Sequence, residues 1–135
     1  MPFFHLVVAK TCAQLNPRSE EYFRRTRELA FSSKLEDICP QAKRSETLTA
    51  AKSKLDALDD TLQKNGEGTL FVMGDTLTFL DILLASFFHF FRLLAPEEEW
   101  SQVASWHGGR WGKLLETLQP YEGGAGDETE VWKPE

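Results

Sequence analysis

The chain has 135 residues, 41% of them aliphatic or aromatic and 27% charged, which fits one globular domain and excludes a disordered or collagen-like chain. Its formal net charge of -6 is uneven: residues 1–64 carry eleven Lys and Arg against nine Asp and Glu, and residues 65–135 carry four against twelve. The one basic cluster, Arg24, Arg25 and Arg27, is interrupted by Glu20, Glu21 and Glu28, so counterion release on a phosphate backbone is small and nucleic acid is excluded as a partner.

The first fourteen residues read as an extended, apolar N-terminal segment. They lack the basic start and long apolar stretch of a signal peptide. Cys12 and Cys39 are too few for a secreted disulfide framework, so both are expected as free thiols in a cytoplasmic protein.

Helical periodicity dominates from residue 15 to 119, and no alternating run argues for a strand, so the expected fold is an all-α helical bundle. After Asn16-Pro17, Ser19 is a candidate cap, with Glu20 and Glu21 favourably placed at the positive end of the helix dipole. The helix it opens is expected to reach nearly to Pro40. Its buried stripe would run through Tyr22, Thr26, Leu29 and Ala30, continued by Phe31, Leu35 and Ile38.

From Ser45 to Lys64, Leu48, Ala51, Leu55, Leu58 and Leu62 recur every three or four residues, leaving Lys52, Lys54, Asp56, Asp59 and Asp60 for water. Asn65-Gly66 supplies the stop. Thr69 to Met73 favours a strand by propensity but has no partner, so it reads as an extended connection.

The stretch from Phe79 to Leu94 is apolar on nearly every side, which predicts a helix enclosed by others. It is shorter than the roughly 20 residues that cross a bilayer, and Asp81, His89 and Arg92 interrupt it, so no membrane span is expected. Pro96 opens a short helix through Trp100 and Val103, and another follows from Gly109 to Leu118. Residues 120–135 form an acidic, Gly-rich tail expected to be mobile.

The most informative stretch is Gly74-Asp75-Thr76-Leu77-Thr78-Phe79-Leu80-Asp81-Ile82. Thr78 at the N-cap and Asp81 at the third helical position have the spacing of a capping box, with Asp in the usual Glu place. Leu77 and Ile82 have the spacing of a hydrophobic staple, which fixes the angle at which the chain joins the helix. All four residues read as structural.

No constellation of catalytic residues stands out. His5, His89 and His107 lie far apart without metal-ligand spacing, so no metal is expected, and no nucleophile elbow or phosphate-cradling Gly loop occurs. Cys12 reads as an inert structural thiol. Candidates for a ligand-facing surface are Tyr22, Arg25, Arg27, Trp106, Arg110 and Trp111, because aromatic faces and guanidinium groups suit an amphipathic, anionic small molecule. The competing reading has the Trp and Arg residues packing and pairing across the last helices. His89 is a further candidate, against the simpler role of a satisfied core histidine.

Together the capping box, the staple and the helical layout resemble the C-terminal domain of glutathione transferases. Two stretches are similar to fungal glutathione transferase-like proteins of the ustiloxin-cluster type. One is Leu15-Asn16-Pro17-Arg18-Ser19-Glu20-Glu21-Tyr22-Phe23-Arg24-Arg25-Thr26-Arg27-Glu28 with Leu35-Glu36, and the other is Trp106-His107-Gly108-Gly109-Arg110-Trp111. The resemblance implies a domain that supplies the hydrophobic co-substrate site, while a thioredoxin-like domain binds and activates glutathione. This chain contains no such domain, so it is expected to hold no cofactor and to be inactive alone; glutathione would enter only with a thioredoxin-like partner. The alternative is a non-catalytic helical module that binds a hydrophobic small molecule or a partner protein, a second copy included.

Overall fold

A computed structural model describes residues 2–66 and 68–122. Among them the regular structure is helical: α1 (Pro2–Ala13), α2 (Pro17–Phe31), α3 (Leu35–Ile38), α4 (Arg44–Leu62), α5 (Phe79–Leu94) and α6 (Glu97–Leu118), joined by short 3-10 turns. Residues 71–76 make only two isolated bridges, Phe71 to Gly74 and Met73 to Thr76, and no strand is present among the described residues. Residues 123–135 of the expected tail lie outside the described residues, and Gln119–Tyr121 closes α6 with a 3-10 turn.

The N-terminal segment is not extended; it forms α1. Its helix has almost no amphipathic contrast, so periodicity gave no signal, and burial of Phe3, Leu6, Val7, Val8 and Cys12 against the rest of the protein stabilises it. The main core joins Phe3, Leu6 and Val7 of α1 to Leu48, Ala51, Leu55 and Leu62 of α4, Ala85, Phe88 and Phe91 of α5, and Trp100 to Leu118 of α6. A smaller cluster, Val8, Cys12 and Leu35, anchors α3. Both cysteines are free, and burial pushes the Cys12 thiol up, which disfavours its reactive thiolate form.

Helix α2 begins earlier than expected. Asn16 caps it, accepting from the Ser19 N–H at 3.0 Å, and Pro17 supplies the pre-set φ of the first helical position. The helix also ends earlier, at Ser32, whose φ of 51° is left-handed and breaks the run before Leu35. The expected buried stripe is largely absent: α2 contains no fully buried residue, and Leu29 is 81% exposed. Phe23 rather than Tyr22 turns inward, packing with Ile38 on the small cluster around Leu35.

Helix α4 follows its sequence pattern with one correction. Asp59, assigned to water, is only 4% exposed because Arg110 of α6 lies against it. A second ion pair holds three helices together: Arg44 of α4 grips Glu99 of α6 through Nε at 2.5 Å and Nη2 at 2.7 Å, and its Nη1 donates to the Leu6 carbonyl of α1 at 3.1 Å.

Helix α5 also departs from expectation. One side is buried through Asp81, Ala85, Phe88 and Phe91, but the opposite side is open, with Phe79 74% and Leu93 70% exposed. The described helices cover one face of it only. An apolar helix needs enclosure on all sides, and α1 and α6 supply it on one.

Candidate functional site

The start of α5 is tied down by Asp81. Its carboxylate accepts from the Thr78 N–H at 2.8 Å and the Thr78 hydroxyl at 2.7 Å, within a capping box. The same carboxylate accepts from the Val72 N–H at 2.7 Å, so it also fixes the connection between α4 and α5. Asp81 is fully buried and serves structure.

This anchoring presents Leu77 and Ile82 on one wall of an apolar groove of about 530 Å³. Ala85, Phe90 and Leu93 continue the wall along α5, and Leu118, Tyr121 and Glu122 form the facing side at the end of α6. Its volume falls within the range of small-molecule sites, about 300 to 1,000 Å³. His89 is the candidate residue that opens onto it; its Nδ1 lies 3.3 Å from Glu122 Oε1 but makes no hydrogen bond. Ser86 is the other polar group on the α5 wall, and its hydroxyl donates to the Ile82 carbonyl at 2.8 Å.

The remaining candidates are not gathered there. Tyr22 and Arg25 lie together on the outside of α2, with the guanidinium 5.8 Å from the ring centroid, and Arg27 lies 5.4 Å from the Phe23 ring. Trp106, Arg110 and Trp111 are brought together, but inside the protein. Trp106 and Trp111 are buried, and Trp111 stacks on Phe88 at 4.9 Å between centroids, so neither ring is available as a ligand-facing surface.

Between Trp106 and Arg110 lies a break within α6. His107, Gly108 and Gly109 all have positive φ, which lets the helix stop and restart. Trp111 Nε1–H donates to His107 Nδ1 at 2.9 Å, so a neutral His107 carries its proton on Nε2, which faces Asp56 Oδ1 at 2.8 Å. Arg110 donates through Nε to Asp59 at 2.6 Å and through Nη1 to the Thr69 carbonyl at 2.5 Å. The motif joins α4, α6 and the 66–78 connection.

Residues 1–121 match the family described as "Glutathione S-transferase, C-terminal domain". The chain belongs to that family. It is similar to the glutathione transferase GSTFuA3 of Phanerochaete chrysosporium, with 40% identity and a TM-score of 0.81 over 91% of this chain and 49% of that one. Two glutathione S-transferases of Ceriporiopsis subvermispora, each solved in complex with glutathione, are also similar. One has 33% identity and a TM-score of 0.80 over 89% of this chain and 50% of that one; the other has 31% and 0.78 over 90% and 53%. A search of curated proteins finds no match.

The chain thus spans about half the length of these solved glutathione transferases. C-terminal domains of this family usually pair with a thioredoxin-like domain. The family holds although α5 is bare on one side, because kinship follows from sequence and backbone rather than from the burial of one helix. No helix among the described residues is long and apolar enough to cross a membrane.

Sequence reasoning missed most of the groove. Phe90 and Leu93 are expected as enclosed core, and Tyr121 and Glu122 as tail, yet all four line it. A usable signal existed in an end-to-end apolar helix accompanied by too few amphipathic helices to surround it.

Proposed function

We propose that this chain is the helical half of a glutathione transferase and that the groove between α5 and the end of α6 is the apolar wall for an electrophilic co-substrate. The observation that carries the reading is the groove itself, apolar along α5 and rimmed by His89, Tyr121 and Glu122, in a domain of this family. Glutathione binding and thiol activation belong to a thioredoxin-like partner domain. With it, the glutathione thiolate forms a bond to an electrophilic carbon of the co-substrate as that carbon's leaving group departs as an anion with the electron pair of the broken bond, and this chain contributes binding and exclusion of water.

Alone, the chain conjugates no glutathione. The test is purified protein with glutathione and a general electrophile: turnover above the uncatalysed rate sinks the reading. Groove binding is tested separately with an apolar fluorescent dye. Leu93 is 70% exposed and takes no part in the staple, so Leu93→Arg leaves the fold intact and abolishes the dye signal if the groove is the site.

A non-catalytic helical module is the second reading, favoured by the exposed length of α5. Saturable dye binding without any gain in conjugation when a thioredoxin-like partner domain is added supports it over the first.

A further inference from the structure

A second cavity, of about 810 Å³, lies between the end of α4, the 66–78 connection and the restarted part of α6, and it shares no lining residue with the groove along α5. Its wall on α6 is built from Arg110, Lys113, Glu116 and Thr117, which follow at helical spacings and so present one face. Gln63, just past α4, and Thr69 of the connection also line it. The groove is apolar, whereas this wall is polar.

Arg110 is its fixed point. The side chain is only 10% exposed, with Nε held by Asp59 and Nη1 by the Thr69 carbonyl. Nη2 has no hydrogen-bond partner among the described residues and is not sealed from solvent, so an immobilised guanidinium offers one free edge to the cavity. Asp59 presents no bare carboxylate there, because one of its oxygens accepts from Arg110 Nε and the other from Gln63 Nε2 at 2.5 Å. Lys113 joins Arg110 at this end: its Cε lies 4.0 Å from the position that a Cβ on Gly109 would take, so its stem lies back over the glycine step.

Glu116 stands further along the same face. None of the ion pairs among the described residues includes Lys113 or Glu116, so beyond the balanced Arg110–Asp59 pair the cavity holds one free positive and one free negative charge. At the rise of an α-helix, Glu116 lies roughly 4.5 Å along the axis from Lys113 and roughly 9 Å from Arg110. A single amino acid keeps its ammonium and carboxylate about 3 Å apart, and each added residue lengthens the span by about 3.3 to 3.6 Å. Two or three residues match the spacing of the charges.

From this order of charges we infer that the cavity binds a short free peptide of two or three residues by its two ends. The carboxylate lies against Arg110 Nη2 and the Lys113 ammonium, and the terminal ammonium lies against Glu116. The Thr117 hydroxyl and the Gln63 Oε1 oxygen, neither of which is engaged in a hydrogen bond among the described residues, serve the peptide's own amide groups. A multiply charged anion such as phosphate would be repelled by Glu116, and an apolar ligand would desolvate Arg110 and Lys113 without replacing their water. The inference goes beyond the co-substrate reading and does not depend on it.

The test is an NMR titration of the full chain with triglycine, following the amides of Gly108, Gly112 and Thr117. Saturable shifts at these amides are expected, with a dissociation constant on the order of 1 mM. Triglycinamide, which lacks the carboxylate, N-acetyl-triglycine, which lacks the ammonium, and glycine, which cannot span the charges, should each bind at least about tenfold more weakly, the effect of losing one charged contact. Arg110 is unsuitable for substitution because it also holds the fold, but Lys113 and Glu116 are exposed, so Lys113→Met and Glu116→Gln should keep the helical circular dichroism unchanged. Lys113→Met should weaken triglycine and leave triglycinamide unaffected. Glu116→Gln should abolish the difference between triglycine and its acetylated form.

Absence of shifts with triglycine at about 10 mM overturns the proposal. So does equal binding of the free and end-capped peptides, and so does sodium acetate binding as tightly as triglycine, which would leave a simple anion site. Leu93→Arg blocks the groove and should not change the peptide titration; if it abolishes the shifts, the peptide sits in the groove and the inference falls. Dye binding and peptide binding are read at different residues, so failure of one idea is distinguishable from failure of the other.

Discussion

Arg110 and Asp59 stand 2.6 Å apart, with their side chains only 10% and 6% exposed, and this pair joins the second half of α6 to the last turn of α4. The guanidinium also donates to the Thr69 carbonyl, so the pair holds the 66–78 connection as well. Removing one partner leaves an uncompensated charge in a dry place, a change that typically costs about 3 to 5 kcal/mol. Arg110→Ala should therefore lower unfolding stability by about that amount in urea denaturation. The paired change Asp59→Leu with Arg110→Met should recover much of the loss, and equal damage from the single and double variants would contradict this account.

Asp81 is expected to be as important, through hydrogen bonds rather than an ion pair. Asp81→Ala removes the acceptor for Thr78 and for the Val72 N–H. A lost cap costs about 0.5 to 2 kcal/mol and a stranded backbone donor about 1 to 3, so on the order of 2 to 4 kcal/mol is expected. Amide hydrogen exchange gives the more specific readout: the Val72 amide should lose protection before the middle of α5 does. Unchanged exchange at Val72 would show that the connection is held by something else.

Gly108 tests the break in α6 without touching its packing. Its φ is 67°, and a Cβ added there would meet nothing within 4 Å. Gly108→Ala should cost only the left-handed backbone penalty, about 1 to 2 kcal/mol. A thermal scan showing no destabilisation would mean that the backbone does not turn as described.

Acid should act on Asp56. The Lys52 ammonium at 2.6 Å, and after it the His107 ring, hold the Asp56 carboxyl below the usual carboxylate range. Because the folded value is depressed, the stabilisation it gives is complete above the ordinary carboxylate range and is lost as pH falls through the folded value. A carboxyl NMR titration should find the Asp56 midpoint below that of a free Asp side chain, and Lys52→Met should raise it. A midpoint indifferent to Lys52 would remove this ion pair as the cause.

The local features of the chain were legible from its residues. The leucine repeat of α4, the stop at Gly66 and the Thr78–Asp81 box each depend on neighbours within one or two turns, and such interactions leave a spacing in the sequence. Helix α1 was not legible, because a helix buried on a broad face has no polar side to set up a period. The inward turn of Phe23 and the left-handed step at Ser32 were hidden for a related reason: which side of a polar helix faces inward depends on what lies beneath it.

Of the candidate site, the sequence identified the residue types but not their company. It marked Trp106, Arg110 and Trp111, with Tyr22, Arg25 and Arg27, as candidates for a ligand-facing surface, but folding buried both Trp rings, stacked Trp111 on Phe88 and set Arg110 against Asp59. It marked Phe79 to Leu94 as a helix that burial must stabilise. Only the tertiary arrangement decided that one side is bare, since a helix of 16 residues records how apolar it is and not how many neighbours surround it. Short-range hydrogen bonds and periodic apolar contacts are written along the chain, whereas exposure is a property of every other segment at once.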